Sequence, residues 1–186
     1  MLEGNGKKHW RSALGHVALG ASLAVALTAY TTEPSMTAEP GSVKIAVFDF
    51  ELEDKSAGGG IIAQDAIDTE NLKLSTQEAR RMLSASGRYT IVEAGPTAGE
   101  AVSAGGIRNC NGCEAPLAKT LGADQSMAGV FTRVNRTEYT LQIVVRDTQT
   151  GELVTNHFTG LRMGANYAWP RGVKWLMDNR ILSAQQ

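Results

Sequence analysis

The run Val43-Lys44-Ile45-Ala46-Val47-Phe48-Asp49-Phe50 alternates and is rich in β-branched residues, which predicts a first strand. Its near-continuous apolar character fits a strand covered on both faces. Glu51 to Gly60 is acidic, ends in three glycines and reads as a loop. From about Asp68 to Ser86 the spacing turns helical, with Leu72, Ala79, Met82 and Leu83 roughly on one face and Gly87 placed to end the helix. Arg88 to Glu93 predicts a second strand, and Ala94 to Asn109, rich in Gly and Ala, carries no clear period.

The second half is more regular. Glu114 to Leu121 predicts a short helix stopped by Gly122. Ser126 to Val134 and Glu138 to Arg146 follow as strands, the latter with Tyr139, Leu141, Ile143 and Val145 on one face. Asp147-Thr148-Gln149-Thr150-Gly151 is a hairpin turn, after which Leu153 to Gly160 returns as a strand. A closing helix from about Ala168 to Leu182 puts Trp169, Val173, Leu176 and Met177 on its inner face. This order predicts an α/β (α+β) domain over 43–184, a mixed sheet with an antiparallel meander and helices packed on it.

The region before this domain follows a different pattern. Lys7, Lys8 and Arg11 precede a stretch, Ser12 to Thr32, without Asp, Glu, Lys or Arg, and Val17 to Leu27 is almost wholly apolar. A charged start before a short apolar core is the order of a secretory signal, so 1–29 is expected to be a cleaved leader, with Ala26 or Ala29 before the cut. The competing reading is a membrane anchor, but this core falls short of the roughly 20 residues a bilayer needs. Residues 30–42, with Pro34, Pro40 and Gly41, read as a linker. The expected location is the periplasm.

Charge narrows the partners. Without the leader's Glu3, Lys7, Lys8 and Arg11, the chain has 15 basic and 18 acidic side chains, a net −3. A nucleic-acid partner is not expected, because phosphate backbones require a basic footprint.

The reactive-looking motif is Cys110-Asn111-Gly112-Cys113. In an exported protein an even cysteine count favours a disulfide. The alternative is a redox-active pair, since a cysteine at a helix start has a stabilised thiolate. Against it, a thioredoxin-like site needs a strand leading directly into the pair. Haem attachment would need His where Glu114 stands, and two cysteines cannot make a four-cysteine zinc site. Glu51, Glu53, Asp54, Asp65, Asp68 and Glu70 could hold calcium, but without EF-hand spacing they read as solvated loop charge. Asp49 stands at a strand end, where α/β proteins often place active groups. His157 alone makes no metal triad. No G-x-S-x-G is present, and Gly58-Gly59-Gly60 lacks the Lys-Ser/Thr ending of a P-loop. No catalytic residues, metal or cofactor are expected.

On the last helix Trp175 lies about 120° from Trp169 and shares its side with Arg171, Lys174 and Asp178. An indole among charges has the composition of an interface anchor. The plainer reading is that it covers the sheet edge. Trp175, Arg171 and Lys174 are the candidate partner-binding residues.

Four phrases, "KIAVFDFE", "LSASGRYTIVE", "LGADQSMAGVFTRV" and "LQIVVRDTQTGELV", resemble the amino-terminal domain of TolB and the curli secretion protein CsgG, over about Lys44 to Val154. That resemblance implies fold only, and within it that Asp49 caps the next segment. The chain also resembles an uncharacterised family of exported proteins from methylotrophic and related bacteria. There C-x-G-C precedes L-G-A-D and a tryptophan helix ends the chain, here Cys110, Gly112, Cys113, Leu121 to Asp124 and Trp169 to Leu182. It implies a partner among pyrroloquinoline-quinone alcohol dehydrogenases, near whose genes such members lie. The functional expectation is a non-enzymatic periplasmic binding or accessory protein. The alternatives are a thiol–disulfide redox protein using Cys110 and Cys113, or a protein that binds a small ligand or metal.

Overall fold

A computed structural model describes residues 41–59, 63–95, 106–162 and 168–183. All belong to one compact unit, Ala38–Gln186. The expected leader at 1–29 and nearly all of the linker lie outside the described residues, as do Gly60 and most of the Gly/Ala-rich stretch before the cysteines.

Among the described residues six strands form one mixed sheet: β1 Val43–Val47, β2 Glu51–Asp54, β3 Tyr89–Glu93, β4 Gln125–Arg133, β5 Glu138–Asp147 and β6 Leu153–Arg162. The order across it is β3-β1-β4-β5-β6, with β2 also pairing β4. β1 runs parallel to both β3 and β4, while β4, β5 and β6 form the expected antiparallel meander. The α-helices among the described residues are α1 Ala66–Ala85, α2 Glu114–Thr120 and α3 Ala168–Leu176. The final helix is not uniform, since a π turn over Met177–Ile181 closes it, with the Leu182 N–H donating to the Met177 carbonyl at 2.8 Å.

The first strand ends at Val47 rather than at Phe50, and a second strand, not a loop, follows it. Val47 pairs Met127 and Glu51 pairs Val130, so three residues on one side face two on β4. One extra residue breaks the ladder locally, as in a bulge. The chain then resumes beside β4 as β2, although Glu51, Glu53 and Asp54 gave it a loop's composition. At the break Phe48 turns to one core and Phe50 to the other. Phe50 crosses β4 at Gly129, where a Cβ would lie 2.6 Å from its ring, so this position admits only glycine. α1 holds the break: Thr76 Oγ1 accepts from the Phe50 N–H at 2.9 Å, and Arg80 donates to the Val47 carbonyl at 2.7 Å.

Two layers of apolar side chains follow from the alternation of strands. On one face Ile45, Val47, Met127, Phe131, Leu141 and Ile143 pack under α1 and α3. Asp65 caps α1 by accepting from the Asp68 N–H at 2.7 Å, and Leu72, Ala79, Met82 and Leu83 are all buried, as their spacing predicts. On the other face a smaller cluster, Ala46, Phe48, Ala118 and Ala128 among it, lies beneath α2. The L-G-A-D phrase connects the layers: Ala123 is buried, and the Asp124 carboxylate accepts from the Lys44 N–H at 3.0 Å.

Trp169 is fully buried, stacked on Phe131 at 4.3 Å between ring centroids and tilted against Tyr139 at 5.4 Å. Because α3 meets the sheet through this ring, Trp169→Ala is expected to cost about 3–5 kcal/mol. Denaturant unfolding of the two proteins measures the difference.

Candidate functional site

The sequence candidates fall on opposite sides of the sheet. Cys110 and Cys113 are joined in a disulfide with their Cα atoms 5.5 Å apart. Cys110 follows a 3-10 turn over Ile107–Asn109, and Cys113 is the N-cap residue of α2. Asn111 and Gly112 between them adopt positive φ, 46° and 112°. Both cysteines are half-buried against the smaller core.

The neighbouring residue gives this corner its electrostatics. Glu114 is buried and accepts from Arg146 Nε at 2.8 Å, while Arg146 Nη1 reaches the Gly151 carbonyl at 3.2 Å. A cleft of about 320 Å³ opens beside them, lined by Arg146, Glu114, Asn111, Gln142 and Asn156 among others. Cys110, Cys113 and Glu114 bring two sulfurs and a carboxylate within 4.8 Å of one another. The sulfurs are bonded to each other, so neither is a thiolate, and the carboxylate is already paired with Arg146, so the three groups as they stand lack the anionic sulfur ligands that hold a soft metal ion.

The acidic residues are not free loop charge. Arg133 donates to Asp54 at 2.8 Å, to Asp68 at 2.5 Å and to the Tyr139 hydroxyl at 2.7 Å. Burial opposes the guanidinium's charge, but the bonds from Asp68, Tyr139 and Asp54 prevail and hold it more firmly protonated than usual. Glu51 receives the Ile107 and Arg108 N–H groups at 2.8 and 3.0 Å and pairs the Arg108 side chain at 3.1 Å. Asp49 does not cap the next segment and instead pairs Arg80 at 3.2 Å. The expected solvated cluster is thus largely a set of clasps between β2, α1 and the segment before the cysteines. A groove of about 390 Å³ remains among them, lined by Glu53, Asp54, Gln64, Arg108, Asn109 and Arg133 with Leu52.

Arg133 and Arg146 were not singled out in the sequence, although a signal exists. Arg133 continues the inward series Met127, Gly129, Phe131, and a charge there needs a partner from another element.

Arg171, Lys174 and Trp175 lie together on the exposed side of α3. Trp175 is 47% exposed. Arg180 sits 6.0 Å from its ring centroid, and Lys174 pairs Asp178 one turn on. α1 contributes Glu78, which accepts from Arg81 Nε and Nη2, each at 2.8 Å. Those bonds hold Glu78 below its usual carboxylate range against the effect of burial, and the nearby Lys174 charge adds to them. The result is an indole set in a surface of both signs. His157 lies on β6 opposite Ile143, remote from these groups in sequence and without a metal partner among the described residues.

Hydrogen bonding from Ser56 holds the Asp54 carboxyl below its ordinary 3.8, outweighing burial, with Arg133 acting in the same sense. Backbone N–H groups of Thr150 and Gln149 lower Asp147 likewise. A carboxyl depressed in the folded state contributes stability that is present above its unfolded value and is lost as pH falls through its folded one. Urea midpoints are therefore expected to fall steeply below about pH 4. Arg133→Leu, which strands Asp54 and Asp68, is expected to destabilise by about 3 kcal/mol at neutral pH.

The model of the family DUF3280, described as "Protein of unknown function (DUF2380)", matches residues 43–181. No curated protein matches the chain. Among solved structures, the LpoB C-terminal domain from Salmonella enterica is similar at 15% identity and a TM-score of 0.45, covering 68% of this chain and 87% of that one. The PelC dodecamer from Paraburkholderia phytofirmans gives 15% identity and 0.49, covering 78% and 90%. TolB from Acinetobacter baumannii gives 13% and 0.45, covering 78% of this chain and 29% of that one.

Proposed function

This chain belongs to the family DUF3280, of unknown function, and on that premise we propose that it is an exported, non-enzymatic binding or accessory protein of the bacterial envelope that docks a protein partner through Trp175. The observation that carries the docking is the half-exposed indole on α3, flanked by Arg171, Lys174, Asp178 and Arg180. Tryptophan and arginine supply much of the energy of protein interfaces, and the surrounding mixed charges suit a polar rim. The basic start and short apolar core of 1–29 support export to the periplasm with removal of the leader. The partner we favour is a pyrroloquinoline-quinone alcohol dehydrogenase, on the resemblance to exported proteins of methylotrophs. No cofactor of its own enters this reading.

Trp175→Ala decides the assignment. Its melting temperature is expected to stay within a few degrees of the parent, because the side chain is not in the core, while recovery of the periplasmic partner drops at least about tenfold. A large melting loss with partner recovery unchanged in the folded fraction would assign Trp175 to packing and remove the docking site. The intact mass of the exported product gives the cleavage point.

A thiol–disulfide function is the second reading, favoured by the position of Cys113 as the N-cap residue of α2, where the helix dipole stabilises a thiolate. Titration against glutathione buffers separates the two. A structural bridge is expected to resist reduction, at a potential below about −300 mV and without insulin reduction, whereas an exchange enzyme falls near about −270 to −120 mV and turns over.

A further inference from the structure

Among the described residues β6 is an edge strand, hydrogen-bonded to β5 on one side only. Exposed edges are usually protected by lysine, proline, inward charge or a bulge. Here a bulge affects only the start, where Val145 pairs Thr155 while Arg146 pairs Leu153 and leaves Val154 over. From Thr155 to Leu161 the strand is regular and contains no Lys, Arg, Asp, Glu or Pro. Phe158, at its centre, is 77% exposed on the sheet face away from α3, the most exposed large apolar side chain among the described residues. Two residues on, on that same face, Gly160 leaves open space where a side chain would stand.

We propose that β6 pairs with β6 of a second copy, antiparallel about a two-fold axis at Phe158, joining two six-stranded sheets edge to edge. In this register Phe158 faces its own counterpart, and Asn156 faces Gly160 of the other copy. Each ring then has the vacant Gly160 site as its diagonal neighbour, the arrangement in which an aromatic covers a strand glycine. Charge permits the pairing, because no ionised Lys, Arg, Asp or Glu lies between Thr155 and Leu161 to oppose its like. A stranger's strand would need its own complement to Phe158 and Gly160, whereas a second copy supplies both by symmetry. The area sets the strength: seven paired residues and one ring fall short of the roughly 800 Å² per partner of a standard interface. The association is accordingly weak and concentration-dependent.

Sedimentation equilibrium of the purified chain from about 10 μM to about 1 mM tests this. The expected mass rises with concentration from one chain toward two. Phe158→Asp, at an exposed position, is expected to keep its melting temperature and remain a single chain throughout. The register is checked by the double variant Asn156→Cys/Gly160→Cys, which should cross-link into a covalent dimer under mild oxidation. A single-chain mass at every concentration overturns the proposal and leaves the edge to a strand from another protein. So does a dimer undiminished by Phe158→Asp, or one that forms without the cross-link.

Discussion

The crossing of Phe50 over Gly129 is the constraint on which the rest of the sheet depends. It occurs where one extra residue divides β1 from β2, and it sends the two phenylalanines of Phe48-Asp49-Phe50 into separate cores. Both halves of the divided strand must still pair with β4, so β4 has to lie close against the break, and only a residue without Cβ permits this. α1 is positioned by the same feature, since Thr76 and Arg80 satisfy backbone groups that the interrupted ladder leaves over. Once α1 is fixed there, α3 can close the layer by inserting Trp169 against Phe131 and Tyr139.

Charge performs the fastening that apolar packing does not. Arg133 ends the inward series of β4 at the margin of the main core and joins β2 to α1 through Asp54 and Asp68. Glu51, on the same short strand, holds the turn that leads into the disulfide. Arg146 and Glu114 do the corresponding work on the other face. Each pair is largely withdrawn from water, so loss of one member leaves a costly uncompensated charge even where the intact pair adds little net stability.

Much of this was legible in the chain. The meander announced itself through Tyr139, Leu141, Ile143 and Val145 at period two and through the Asp-x-x-Thr-Gly turn, both local signals. Helical phase alone separated buried Trp169 from exposed Trp175, and the cysteine pair could be read by count and setting. β2 was not legible, because three carboxylates in four residues have the composition of a loop and the partners of Glu51 and Asp54, Arg108 and Arg133, lie more than fifty residues away. The role of Arg133 was hidden for the same reason. Periodicity records which face a residue occupies but not what waits for it there.

β1 is an interior strand of the sheet and the first among the described residues, and its two neighbours arrive at different times. β3 follows after one helix, so β1, α1 and β3 can assemble early as a crossover unit. The other side of β1 belongs to β4, and the Lys44–Asp124 contact that secures it spans 80 residues. During synthesis an apolar strand edge therefore stays open until two-thirds of the chain has emerged, exposed to any similar edge nearby.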